Sequence, residues 1–330
     1  MEQKVLRTGA LVVACAIVLR LLSGVADSFT LKLSPKIASV IIFMQTGRVV
    51  RPGNISFSPP ATEPTEQTQP PTEPPTTEPE KPVFSEQDVA AIGITAGFSY
   101  QVDLPALMAK PLQWDLTGEE PKVLIVHSHG SESYLPNKDY QETTPYHTLN
   151  TDYNMVSIGD FVAKNLEAAG ISVLHDRTLH DEPSYNASYN NSRKSVQDYL
   201  AQYPSICLVL DLHRDSIEDE AGNQIAQTVF SEGQTLAPLM LVVGTDHGGL
   251  EHPGWQDNLA LALKLQVQLE DICPGICRNI NLRTQRFNQD LSPGAMLIEV
   301  GASGNTRQEA LRAAEVLVKA VVSLAYGSGS

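Results

Sequence analysis

Pro121-Lys122-Val123-Leu124-Ile125-Val126-His127-Ser128-His129-Gly130-Ser131-Glu132-Ser133-Tyr134 passes in one step from an apolar run to a cluster of ionisable and hydroxyl side chains. Four consecutive apolar residues behind a proline predict a strand buried on both faces. Downstream, Met155, Ile158, Val162, Leu166 and Ala169 recur at helical spacing, and Gly170 stops that helix as a C-cap glycine does. Ile171 to Leu174 predicts a second strand, Ser192 to Gln202 a helix, and Ile206 to Leu212 a third, continuously apolar strand. Pro238 to Val243 predicts a fourth strand, Asp257 to Ile272 a long helix, and Ala295 to Val300 a fifth strand. Asn305 or Thr306 then caps a last helix running to Tyr326. Strands alternating with helices define an α/β domain: a largely parallel twisted sheet flanked by helices on both faces.

Upstream of this pattern the composition changes. Residues 51–82 are dominated by Pro, Thr and Glu, with repeats such as Thr62-Glu63-Pro64-Thr65 and Thr72-Glu73-Pro74-Pro75. Such a segment buries no core and is expected to be an extended, solvated, disordered linker. Residues 1–50 carry a targeting signal: Lys4 and Arg7 precede an apolar stretch from Gly9 to Leu22, interrupted only by Arg20. A charged start before a short apolar run fits a signal peptide, with Gly24-Val25-Ala26 as the cleavage site, or a single-pass signal anchor. Either way the basic flank directs export of the downstream chain, so residues 83–330 are expected to be an extracytoplasmic domain at the cell membrane. Ala38 to Met44 is apolar but too short to span a bilayer.

The chain has 330 residues, 42% of them hydrophobic, which is enough for a sizeable core, and a formal net charge of −15. That charge argues against a nucleic-acid partner, whose phosphates need clustered Lys and Arg. Four cysteines are too few for a disulfide scaffold. Cys273 and Cys277, flanking Pro274-Gly275-Ile276, are expected to form one local disulfide in an oxidising compartment.

Open α/β sheets bind ligands beyond the carboxyl ends of their strands. There this chain places His127, His129 and Glu132 after one strand and Asp211, His213, Arg214 and Asp215 after another, with Glu299 inside a third. A lone histidine in such a place is ordinarily a satisfied polar residue, and Glu299 between Ile298 and Val300 also reads as the exposed member of an edge strand. Yet ionisable groups interrupt apolar runs only when paired, exposed or coordinating. Two imidazoles and a carboxylate make an established catalytic zinc set with one position open for water. A serine or cysteine nucleophile has less support, since no Gly-x-Ser-x-Gly stands at a strand-to-helix turn.

Four stretches in series are more specific than any one. They are His127-Ser-His129-Gly130-Ser-Glu132-Ser-Tyr134, His180-Asp181-Glu-Pro-Ser184-Tyr185-Asn186-Ala-Ser188-Tyr189, Asp211-Leu-His213-Arg214-Asp215, and Arg286-Phe-Asn288 with Ser292-Pro293-Gly294-Ala-Met-Leu-Ile-Glu299-Val-Gly301. Together with Gly304-Asn305-Thr306 they resemble the stage II sporulation protein P family over about Pro121 to Leu324. At Gly130 the chain departs from the family's more common Thr.

The resemblance implies an amidase-like fold and a zinc N-acetylmuramoyl-L-alanine amidase. Such an enzyme cuts between muramic acid and the stem peptide, and also peptide cross-links, in septal wall degradation and forespore engulfment. It further implies stage II sporulation proteins D and M as partners. Mapped onto this chain, it makes His129 and His213 zinc ligands and Glu299 the catalytic carboxylate. Glu132 is the expected third ligand, with His127 and Asp152 as alternatives. Arg214 is a candidate for steadying an oxyanion or a substrate carboxylate, or else a structural partner of Asp211 or Asp215. Tyr185 and Tyr189 either line a glycan groove or pack a loop, and His175, His180 and His247 are expected to be loop residues, solvated or locally bonded. The alternative class is a peptidoglycan-binding or scaffolding module without turnover.

Overall fold

In the computed structural model, the described residues are 83–112, 115–137, 140 and 146–326. The linker, the apolar N-terminal run and Ala26 lie outside them. No helix among the described residues is long and apolar enough to cross a membrane.

The chain enters through α1 (Glu86–Val89), β1 (Ile94–Ala96) and α2 (Leu104–Ala109). Next come β2 (Val123–Val126), α3 (Met155–Ala168), β3 (Val173–His175), a 3-10 turn at Tyr185–Ala187, α4 (Ser188–Gln202) and β4 (Leu208–Asp215). A small antiparallel hairpin of β5 (Val229–Ser231) and β6 (Gln234–Leu236) precedes β7 (Leu239–Gly244), α5 (Trp255–Ile272) and β8 (Ile280–Arg283). After a 3-10 turn at Gln289–Leu291, β9 (Ala295–Ala302) and α6 (Arg307–Tyr326) close the fold. The seven-stranded sheet has the order β1-β8-β7-β9-β4-β2-β3.

Every neighbouring pair in that sheet is parallel except β7 with β9, where Met240 faces Glu299 and Leu239 faces Val300. The largely parallel expectation therefore holds with one antiparallel seam. Because of that seam β2, β4 and β9 point their carboxyl ends to one rim, while β7 points the other way.

Side chains alternate across the sheet and sort the core into two layers. Val123, Ile125, Leu208, Leu210, Leu212, Leu239, Leu241, Ile298 and Val300 pack against α3, α5 and α6. Leu124, Val126, Val209 and Ala295 face the opposite way, onto Val196 of α4. Beyond α4, Met240, Val242 and Leu297 are covered by Phe287.

Helix ends obey their chemistry. Asn154 caps α3 by accepting from Val156 N, and Gly170 leaves it at φ 85°. Thr306 caps α6 in a reciprocal box: its Oγ1 accepts from Glu309 N and its own N–H donates to Glu309 Oε2 at 2.9 Å. Helix α4 begins at Ser188, a turn before the apolar spacing starts. The short β1, β8, α1 and α2 carry too few residues for periodicity to mark them. Cys273 and Cys277 are free thiols rather than a disulfide. Glu270 instead closes the turn between them, accepting from Gly275 N at 2.7 Å and Cys277 N at 2.8 Å.

Candidate active site at the carboxyl rim of the sheet

Residue parity builds the site. Val209, Asp211 and His213 share one face of β4, and Leu297 and Glu299 share that face on β9. His213 and Glu299 are register partners on the adjacent strands. The stretch after β2 supplies the rest. It is pinned by Ser133 N to Tyr146 O at 2.8 Å, Thr148 N to Ser131 O at 2.7 Å and Met155 N to Glu132 O at 3.0 Å. Gly130 is where the loop must be thin: a Cβ there would stand 2.9 Å from Leu179 Cδ2. That closeness lets Asp181 accept from both the N–H and the hydroxyl of Ser131.

His213 is almost fully buried between two carboxylates. Its Nε2 bonds Asp211 Oδ1 at 2.8 Å and its Nδ1 faces Glu132 Oε2 at 3.6 Å. Burial opposes its charge, but Asp211 and Glu132 outweigh burial and hold the imidazole well above its usual pKa. Glu132 is held down to about 2, against its burial, by His213 and Arg214. Asp211 is likewise lowered against its burial by His213, and accepts from Ser128 N at 2.8 Å and Ser128 Oγ at 2.6 Å. Glu299 goes the other way. Burial pushes its carboxyl up to about 8, and its Oε2 is a buried oxygen with no hydrogen-bond partner.

His129 completes the cluster. Its ring is 5.5 Å from that of His213, stacks on Tyr185 at 4.0 Å and meets Tyr189 edge-on at 5.4 Å. Burial lowers its pKa, and its Nδ1 is buried without a partner. Tyr185 is 52% exposed and forms the outer wall, while Tyr189 lies parallel to His213 at 6.3 Å.

The structure thus brings His129, Glu132, His213 and Glu299 together. It sets the two alternatives apart. His127 is turned into the protein, Nδ1 on Leu212 O at 3.0 Å and Nε2 on His175 Nε2 at 2.9 Å, with its pKa lowered to about 3 by burial and then by His175. Asp152 is exposed before α3. Arg214 is not aimed at an open position: it donates to Ser133 O at 3.0 Å, Tyr146 O at 2.7 Å and Glu132 at 3.5 Å. Its carboxylate partner is Glu132, where Asp211 or Asp215 was expected. One further expectation is corrected: His175 ends β3 and is not a loop residue. His180 lies in a turn, locally bonded to Asp176 Oδ2 at 3.0 Å as expected, and is buried. Asp211 was not expected to orient His213; the i to i+2 spacing along a strand was its only signal.

Among the described residues no three His, Cys, Asp or Glu side chains stand as a ready metal cage. The donor chemistry nevertheless suits a zinc-type cation. One imidazole nitrogen, His129 Nδ1, is buried without a hydrogen-bond partner. A second, His213 Nδ1, faces a carboxylate while its other nitrogen is fixed by Asp211, the usual outer-shell arrangement of a ligating histidine.

The family profile described as Stage II sporulation protein P (SpoIIP) matches residues 55–322. The chain belongs to the stage II sporulation protein P family. Stage II sporulation protein P of Bacillus subtilis (strain 168) is 30% identical over 209 residues, 60% of this chain and 49% of that protein, so the chain spans about half the length of this relative. Among solved structures, N-acetylmuramoyl-L-alanine amidase from Clostridium difficile 630 aligns with TM-score 0.40 and 15% identity, over 64% of this chain and 100% of that one. The amidase AmiC2 of Nostoc punctiforme gives TM-score 0.37 and 15% identity, over 62% and 97%. Succinylglutamate desuccinylase from Chromobacterium violaceum gives TM-score 0.35 and 12% identity, over 65% and 63%.

Proposed function

We propose that this member of the sporulation family is a zinc-dependent peptidoglycan hydrolase that cuts the amide between N-acetylmuramic acid and the stem peptide. Its place is septal wall degradation and forespore engulfment. The observation that carries the reading is Glu299. It is a carboxyl group in register with His213 on the next strand, raised to about 8 by burial, with a buried oxygen that has no hydrogen-bond partner. A catalytic acid–base is most effective with a pKa near the working pH. Glu299 accepts the proton of the attacking water and returns it to the departing amine nitrogen. His129, Glu132 and His213 would hold the metal, with Asp211 fixing the His213 ring. Zinc, when bound, supplies a Lewis acid that polarises the scissile carbonyl and makes water more acidic. Tyr185 and Tyr189 wall the site and exclude water from one side. Cleavage of peptide cross-links by the same centre is part of the proposal. So are export to the cell surface by the N-terminal segment, and stage II sporulation proteins D and M as partners.

A binding module without turnover is the second reading. It is favoured by the absence of a ready three-ligand cage among the described residues. The two are separated by incubating the chain with intact peptidoglycan, with and without a zinc chelator, and reading products by mass spectrometry. Free stem peptides that vanish with chelation and with Glu299→Ala support the amidase. Peptidoglycan that is bound but never cut, at any zinc level, rejects it.

A further inference from the structure

One more cation stands at the same rim. Arg278 precedes β8, and its N–H donates to Leu239 O at 2.8 Å, on the β8 side of β7. Its Nη1 reaches Asp215 Oδ2 at 2.6 Å, and Asp215 ends β4, on the far side of β9. The strand order β8-β7-β9-β4 therefore makes the side chain span β7 and β9 at their catalytic end. On that span Leu239 faces Val300 and Met240 faces Glu299, so Arg278 and Asp215 lie on either side of the strand pair that carries Glu299. Asp215 is accordingly one of the charges that raise Glu299, after burial and Glu132.

The neighbouring arginines are committed elsewhere: Arg214 points inward, and Arg307 donates to Ser157 Oγ at 2.8 Å. Arg278 gives Nη1 to Asp215, and its other guanidinium N–H groups make no hydrogen bond among the described residues. The pair is partly open, at 29% exposure for Arg278 and 25% for Asp215. Asp215 is itself fixed, accepting from Ser216 N at 2.8 Å.

We propose that Arg278, aimed by Asp215, is the receptor for a free carboxylate of the stem peptide beside the bond to be cut, an assignment that rests on the hydrolase reading. A partly exposed ion pair holds little energy of its own, so a second carboxylate can share or replace Asp215 at small cost. The planar guanidinium offers paired donors that match a carboxylate. In a chain of net charge −15, an anionic substrate needs such a local cation to offset the general repulsion.

The test uses the full chain carrying Glu299→Gln, which binds without cutting, and two soluble muramyl peptides, one with free carboxylates and one amidated. Calorimetry is expected to show on the order of tenfold tighter binding of the free-carboxylate peptide. Arg278→Gln should erase the preference and Arg278→Lys should keep part of it. In the chain with Glu299 intact, Arg278→Gln should raise KM for the free-carboxylate peptide far more than it lowers kcat. A folded Arg278→Gln protein that still prefers the free carboxylate overturns the assignment. If that variant does not fold, an undiminished preference in Arg278→Lys does so. Selective binding through Arg278 without any cleavage by the unsubstituted chain sinks the hydrolase reading alone. Cleavage indifferent to amidation sinks the Arg278 assignment alone, and binding of neither peptide sinks both.

Discussion

Asp211 and His213, two residues apart on β4, are hydrogen-bonded Oδ1 to Nε2 at 2.8 Å. Residues i and i+2 of a strand point to one face, and here that face also carries Glu299 of β9. The bond fixes which imidazole nitrogen faces Glu132. Ser128, whose N–H and hydroxyl both donate to Asp211, keeps the carboxylate from turning.

Asp211→Asn is expected to leave the fold intact and weaken zinc affinity by about 10–100-fold, the usual effect of removing an outer-shell carboxylate. Competition against a fluorescent chelator measures this directly. Unchanged affinity would take Asp211 out of the metal's support.

Arg214 is expected to be structural. Removing it in Arg214→Ala takes one side-chain donor from each of the Glu132 carboxylate and the carbonyls of Ser133 and Tyr146. Breaking a buried pair from one side costs about 3–5 kcal/mol, and chemical denaturation should show a loss of that size. Arg214→Lys should recover only part of it, because one ammonium cannot reproduce a fork aimed at three acceptors.

Gly159 lies inside α3, where alanine ordinarily helps a helix by about 1 kcal/mol. Here the sign should reverse. A Cβ at Gly159 would stand 2.4 Å from His175 Nε2 and 2.5 Å from His127 Nε2, and both rings are bonded to each other. Gly159→Ala is therefore expected to destabilise by about 1–3 kcal/mol, as overpacking does, and a rise in Tm would contradict that geometry.

Lys264 is 2% exposed on α5, with Nζ donating to Leu107 O at 2.9 Å. It has no carboxylate partner among the described residues. Burial, and then Lys110, lower its pKa from the usual 10.5 to about 8. The unfolded chain therefore binds more protons than the folded one between those two values. Stability should rise with pH across that window and carry the full penalty below it. Lys264→Met should stabilise the protein at pH 7 by on the order of 1–2 kcal/mol, the lost hydrogen bond offsetting part of the gain. It should also flatten the rise above pH 8. Equal slopes in denaturation series of the two proteins would refute this.

Local features of this protein are written in the chain itself. Val123 to Val126 and Ala295 to Val300 are strands because their apolar runs are continuous. Met155 to Ala169 is a helix because its apolar residues return every three or four positions, and Gly170 ends it. The candidate quartet stands out in the sequence for a similar reason: His129, Glu132, His213 and Glu299 interrupt or follow buried strands, where an ionisable side chain needs a partner. The remaining features depend on neighbours distant in the chain, and folding alone settles them. The antiparallel seam of β7 on β9 comes from sheet order, which local spacing does not encode. His127 and His129 have the same chemistry two positions apart. Sequence left His127 open as a ligand, and the fold separates them by bonding His127 to His175 and Leu212. Asp215 pairs with Arg278 instead of its sequence neighbour Arg214, and Arg214 pairs with Glu132, because the fold brings these partners together across strands. A charged side chain takes the partner that the fold brings within hydrogen-bond reach, and that choice is made by packing.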